Sequence, residues 1–312
     1  MNRRLRTGAV RLSHLDGKAI AVIVLCCALW GLQQVAVKAI LPSTPPLFQG
    51  GVRSLGAMLL VWGWSRARHI PLFGRDGTLV AGLGAGTLFA AEFACIYLGL
   101  PHTNASRLVV FLYLAPFVVA IGLPYFVPSE RLNRLQTVGL VCAFGALAFA
   151  FQEGLTLPTA SQILGDSLAI LAAVMWGLTT LLVRATRLAY ATPEKTLFYQ
   201  LSVSAFLLCT TSLVTGERWS IALPALAWLS LLFQTVVVAF ASYLGWFWLL
   251  RHYSATKVSA FSFLTPMFGL VFGALILHEV LSLRLIIALV FVAAGIFLVN
   301  RPPAAVVKGV HT

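Results

Sequence analysis

The chain has 312 residues, of which 60% are hydrophobic and only 10% charged, and its mean hydropathy is +0.92. Soluble domains carry about 25% charged residues, so this chain has too few charges to coat a water-facing surface, and most of that surface must face lipid. The net charge of +13 would suggest nucleic acid in a soluble protein; in one this apolar it fits basic loops that set membrane topology, and no nucleic-acid binding is expected.

The basic segment 1–18 runs into an uncharged stretch over 19–37. That stretch is too long for a typical signal-peptide core and no A-x-A site follows it, so it reads as a retained first helix; a short Arg-bearing transit peptide is the lesser alternative. Ten apolar segments of spanning length follow in order: 19–41, 46–65, 77–99, 104–126, 134–152, 165–186, 194–214, 224–250, 255–277 and 281–300. Proline, glycine or polar residues mark the short connections, as at Pro42, Pro45, Pro71, Gly74, Pro101, Pro128, Pro158, Pro193 and Gly216. With the N-terminus in the cytoplasm, 17 of the 22 Lys and Arg fall in inside segments; Lys38, Arg53, Arg107, Arg218 and Arg284 lie outside or within a helix. This bias fixes the orientation, and an even number of spans returns the C-terminus to the cytoplasm.

The two halves echo each other at a shift near 150 residues. Leu29-Trp30-Gly31-Leu32 is answered by Met175-Trp176-Gly177-Leu178, with Lys38 and Arg184 following. The stretch from Pro101 to Arg107 is answered by the one from Arg251 to Lys257, Leu114-Ala115-Pro116 by Leu264-Thr265-Pro266, Glu130 by Glu279, and Gly145 by Gly295. Five helices per repeat is odd, so the second copy enters the membrane upside down. The loops agree: Arg66, Arg68 and Arg75 face only Arg218 in the equivalent connection, and Arg131 and Arg134 face only Arg284. The expected fold is therefore all-α and integral to the membrane: ten transmembrane helices as two inverted five-helix repeats around a central cavity. The expected organisation is a basic N-terminus (1–18), a first repeat (19–152), a linker (153–164), a second repeat (165–300) and a C-terminal tail (301–312).

Ala28-Leu29-Trp30-Gly31, the run from Ala241 to Phe247, and Tyr253-Ser254-Ala255-Thr256 through Pro266 to Glu279 carry a resemblance to EamA-type transporters of the drug/metabolite transporter superfamily. The resemblance extends from about Ala19 to Asn300 and is clearer in the second repeat. It implies a cavity between the halves and transport of small organic metabolites, commonly export. The first repeat departs from the usual pattern at Glu92, Gln33 and Gln34, so the resemblance names no substrate.

Charges inside hydrocarbon cost about 2.5–3.5 kcal/mol each on insertion scales, which makes Arg53 and Glu92 the leading candidates. Counted along antiparallel helices they sit at similar depth, on the order of 10 Å below the outer surface, and could pair directly. Glu92 would exchange a proton or meet a cationic group, and Arg53 would hold it or meet a carboxylate; the structural alternatives are a packing ion pair and, for Arg53, snorkelling to the interface. Gln33, Gln34 and Lys38 share that outer half, Lys38 reading as an anchor. Trp30 and Trp176 lie near mid-bilayer, where each indole N–H needs a partner; they line a cavity or pack beside a close approach at Gly31 and Gly177. Tyr97, Tyr243 and Trp246 are weaker candidates of the same kind. Pro116 and Pro266 kink their helices, leave carbonyls 112 and 262 without their usual donor, and suit a hinge. Gly82 and Gly86 form a close-packing GxxxG.

The five cysteines, Cys26, Cys27, Cys95, Cys142 and Cys209, read as apolar filler. His102 and His252 read as surface residues. No metal, cofactor or catalytic residue is expected: HExxH, GxSxG and Walker patterns are absent from the sequence. The function expected is secondary transport, with lipid and a small molecule as partners, proton coupling left open, and a bacterial inner membrane as the setting. The alternatives are a membrane-embedded enzyme acting on lipid or peptide and a non-transporting structural protein.

Overall fold

The computed structural model describes residues 15–155, 157–220, 222–277 and 283–301. Within them the chain forms α1 (Gly17–Ile40), α2 (Pro46–Ala67), α3 (Leu79–Gly99), α4 (Ala105–Leu112), α5 (Ala115–Gly122), α6 (Arg134–Ala150), α7 (Ala160–Ala185), α8 (Pro193–Val214), α9 (Ala225–Leu232), α10 (Tyr243–His252), α11 (Ala255–Phe261), α12 (Leu264–Leu277) and α13 (Leu283–Asn300). A π-helix, Phe233–Ser242, joins α9 to α10 as one continuous rod. The two proline breaks fall where the sequence places them. α4 ends at Leu112 and α5 restarts with Pro116 in its first turn; α11 ends at Phe261 and α12 restarts at Leu264, just before Pro266. Carbonyl 262 is not orphaned, however: it accepts from the Thr265 N–H at 2.9 Å, because the break tightens into a turn.

Among the described residues, eight helical segments are long and apolar enough to cross a membrane. α2 has the length, but Gln49, Arg53 and Ser54 dilute its apolar character, and α6 is apolar but shorter, at 17 residues. The outer surface is apolar, as at Val80, Phe206 and Leu226, while Gln49, Arg53, Gln200 and Gln234 are buried. That is the inverse of a water-soluble fold and makes this a multi-pass membrane protein. α7 begins at Ala160, inside the expected linker, because Thr159 and Gln162 form a reciprocal capping box.

Large interfaces recur at the repeat shift. α2–α8 and α6–α13 each join helices holding the same place in the two halves. α3–α7 is matched by α1 against the α9–π–α10 rod, α5–α7 by α1–α12, and α3–α8 by α2 against the π segment. Glycine permits the closest crossings. A Cβ on Gly31 would stand 2.7 Å from the Gly269 nitrogen, and one on Gly295 2.6 Å from the Gly139 oxygen. Gly82 and Gly86 press α3 on Tyr199 and Val203 of α8. Gly145 faces open space; Gly139, one and a half turns earlier, is the residue that meets Gly295.

Buried ion pairs that the sequence did not reveal lock the ends of the bundle. Glu130 pairs with Arg184, and its carboxylate accepts from Ser254 Oγ at 2.5 Å and from the Ala255 and Thr256 amides at 3.1 Å. It thereby caps α11. Burial pushes the Glu130 carboxyl up, but Arg184 and these donors outweigh burial and hold it below the usual glutamate range. Arg107 and Asp166 pair near the opposite end, with Thr103 Oγ1 donating to Asp166 at 2.8 Å. Glu279, the sequence counterpart of Glu130, lies outside the described residues, as does most of each expected terminal segment.

α2 begins at a proline N-cap with no side-chain partner, and its cap comes from another part of the chain. Gly216, at φ +75°, closes α8 with a turn in which the Glu217 N–H returns to the Ser212 carbonyl at 3.0 Å. That turn aims Glu217 at the start of α2, where it accepts from the Leu47 and Phe48 amides at 3.1 and 2.8 Å. This cap sits one turn from Gln49 and two from Arg53, so it helps fix the polar face of α2.

Candidate functional site

Arg53 is fully buried on α2, and Nε, Nη1 and Nη2 have no hydrogen-bond partner among the described residues. It does not snorkel. Its guanidinium carbon lies 4.3 Å from the centre of the Phe93 ring on α3. α2 and α3 touch each other little, because both pack on α8, so this contact reaches across the interior. Glu92, next to Phe93 in the chain, is also buried, and its Oε2 has no partner. The direct Arg53–Glu92 ion pair that their similar depth would allow does not form: the two interact through space without a salt bridge. Equal depth left the helix faces undetermined, and α8 holds α2 and α3 apart.

Aromatic side chains enclose this pair. Tyr97 and Phe89 flank Phe93 on α3, with ring centres 6.1 and 5.0 Å from it. Phe89 meets Tyr243 edge-on at 6.0 Å, and Tyr243 meets Trp30 at 6.1 Å. Trp30 packs against Trp246 at 5.4 Å, and its indole N–H donates to Ser242 Oγ at 2.8 Å. Arg53 is within electrostatic range of Glu92, Tyr97 and Tyr243. One continuous cluster therefore gathers Trp30, Arg53, Glu92, Tyr97, Tyr243 and Trp246 from four helices.

Trp176 borders this cluster: it meets Tyr113 edge-on at 5.7 Å in the turn between α4 and α5, and Tyr113 is within electrostatic range of Glu92 and Tyr243. The remaining candidates lie elsewhere. Gln33 is half-buried and Gln34 exposed, and neither hydrogen-bonds to the cluster; Gln34 sits against Gly269. Lys38 is exposed. Cys26 and Cys27 are buried and donate to the Ser242 and Phe261 carbonyls. A cavity of about 640 Å³ opens beside α5 and α6, near Phe117, Tyr125 and Arg131, and no candidate lines it.

Sequence reasoning missed Phe89, Phe93, Tyr113, Gln49 and Gln234. Gln234 lies in the π-helix, and its side-chain amide donates to Ser230 Oγ at 3.1 Å and to Gln49 Oε1 at 3.5 Å. π segments often mark functional sites. The available signal was spacing on one helix: Phe89, Phe93 and Tyr97 recur every four residues beside Glu92.

An all-α membrane bundle with interfaces repeated between its halves, and buried unpaired charges ringed by aromatics, defines a carrier-like integral membrane protein. Residues 17–152 and 163–301 both match the EamA-like transporter family, and the chain belongs to that family. An uncharacterized transporter of Bacillus subtilis, YoaV, is 24% identical over 290 residues, spanning 90% of this chain and 96% of its own. A Salmonella typhimurium protein named a probable amino-acid metabolite efflux pump is 28% identical over 306 residues, spanning 92% and 95%. A crystal structure shares the fold with a TM-score of 0.78 at 16% identity, over 92% of this chain and 98% of that one.

Proposed function

We propose that this protein exports small organic metabolites, amino-acid-like or drug-like, across a bacterial inner membrane by alternating access. The observation that carries the reading is the pair of buried, unpaired charges, Arg53 and Glu92, inside an aromatic cluster built from α1, α2, α3 and α10. Ionisable groups kept at membrane depth without structural partners mark substrate or ion pathways. Membership of a transporter family supports the reading, as do efflux-pump relatives in Salmonella typhimurium and Escherichia coli.

In this reading ten helices cross the membrane as two inverted repeats, 19–152 and 165–300, with a central cavity between them and both termini in the cytoplasm. The recurring interfaces and the bias of basic loops support it. The breaks before Pro116 and Pro266 serve as hinges, and Glu130–Arg184 locks the end that bears the basic loops. Glu92 is the candidate for proton coupling. Reconstitution into liposomes with a metabolite panel, with and without a pH gradient, tests the function: saturable, solute-selective flux is expected. No flux for any solute, with hydrolysis of lipid instead, would overturn it.

A further inference from the structure

We infer that Arg53 recognises the cargo, and that the cargo is an organic acid whose carboxylate docks on the guanidinium edge while an apolar or aromatic body rests among Phe93, Tyr97, Tyr243 and Trp30. The inference deepens the transport reading and rests on it. Arg53 has no exposure, yet all three guanidinium nitrogens lack a partner among the described residues. Proteins seldom leave a buried cation in this state, because desolvation is costly unless a counter-group answers it. Glu92 does not reach it and has an unpaired oxygen of its own.

The guanidinium carbon sits over the Phe93 ring, 4.3 Å from its centre, which answers part of the charge but satisfies none of the N–H donors. Those donors form a fork that matches the two oxygens of a carboxylate. One guanidinium with no lysine in the cluster suits a single negative charge better than a phosphate dianion. The platform is rigid, since a Cβ on Gly51 would stand 2.6 Å from Cys209 Sγ of α8, holding α2 hard against its neighbour. The surrounding rings accept an apolar body in place of water and strengthen the charged contact by excluding it.

The test is equilibrium binding to the full-length protein in nanodiscs, read by tryptophan fluorescence, with four probes: 3-phenylpropionate, its methyl ester, L-phenylalanine and phenethylamine. The two free carboxylates should bind at least about tenfold more tightly than the ester and the amine, since a site built for a hydrogen-bonding group rejects analogues lacking it. Arg53→Lys, which keeps the charge but loses the fork, should weaken carboxylate binding by about tenfold or more. Equal binding of acid and ester to the unaltered protein would overturn the inference without depending on how any variant folds. Unchanged carboxylate affinity in a folded Arg53→Lys protein would overturn it too. Flux of the same probes in liposomes separates the two readings. Carboxylate binding without flux of any solute would remove the transport reading and leave the site, whereas flux of phenethylamine without carboxylate binding would remove the site and leave transport.

Discussion

Tyr113 and Phe263 stand ring to ring, 6.2 Å apart, each three residues before the proline that restarts its helix. The breaks in the α4–α5 and α11–α12 rods therefore meet inside the bundle. Phe144 extends the contact to α6, with its ring 6.3 Å from Phe263. Substituting Tyr113→Leu, Phe263→Leu and both should give a non-additive loss of stability, with a coupling of about 0.5–1.5 kcal/mol. Thermal unfolding in detergent measures it. Strict additivity would mean that the two breaks are energetically independent.

Glu130 and Arg184 are both buried, so removing one partner leaves the other charged and alone. Glu130→Gln should cost about 3–5 kcal/mol and lower the unfolding midpoint strongly. The same pair predicts a pH dependence. The Glu130 carboxyl is held below its ordinary value, so its contribution is fully present above the unfolded glutamate value and is lost as pH falls through the folded one. Unfolding midpoints followed into acid should drop for the unaltered protein in that window, and Glu130→Gln should flatten that part of the profile.

The α6–α13 crossing makes a clean contrast between glycines. Gly295→Ala places a Cβ 2.6 Å from the Gly139 oxygen and should cost about 1–3 kcal/mol as the helices are pushed apart. Gly145→Ala meets nothing within 4 Å and should be neutral or stabilising by up to about 1 kcal/mol through helix propensity. Unfolding midpoints of the two single variants decide this.

Because no salt bridge joins Glu92 to Arg53, neutralising Glu92 removes no ion pair. Glu92→Gln should leave the unfolding midpoint within a few degrees of the parent, on the order of a loss below 1 kcal/mol. In liposomes it should abolish the response of flux to an imposed pH gradient while leaving downhill flux. Coupling that persists in this variant would remove Glu92 as the proton site, and loss of folded protein would assign it a packing role.

Much of the scaffold was legible in the chain. Long apolar runs marked the helices, and the prolines marked the breaks at Leu112 and Phe261. The sequence presents Trp30 and Trp176 as a matched pair, yet Trp30 joins Tyr243 and Trp246 while Trp176 turns to Tyr113. Arg53 and Glu92 were visible as anomalies, but their lack of a salt bridge was not. In a soluble helix polar residues reveal the outer face; here lipid and core are equally apolar, so the sequence pattern hides which way a side chain points. The Arg107–Asp166 and Glu130–Arg184 pairs were hidden because each joins residues more than 50 positions apart.

By itself the sequence determined that this is a membrane bundle with an internal repeat and two charges where charges are costly, because hydropathy, length and motif order are properties of the chain read in one dimension. Only the tertiary structure decided which of those residues share a space. It gathered Trp30, Arg53, Glu92, Tyr97, Tyr243 and Trp246, kept the two charges apart, and brought the two proline breaks together. Those outcomes depend on how glycine-lined helices cross, as at Gly31–Gly269 and Gly139–Gly295, and crossing geometry is set by packing between distant segments rather than by any local run of residues.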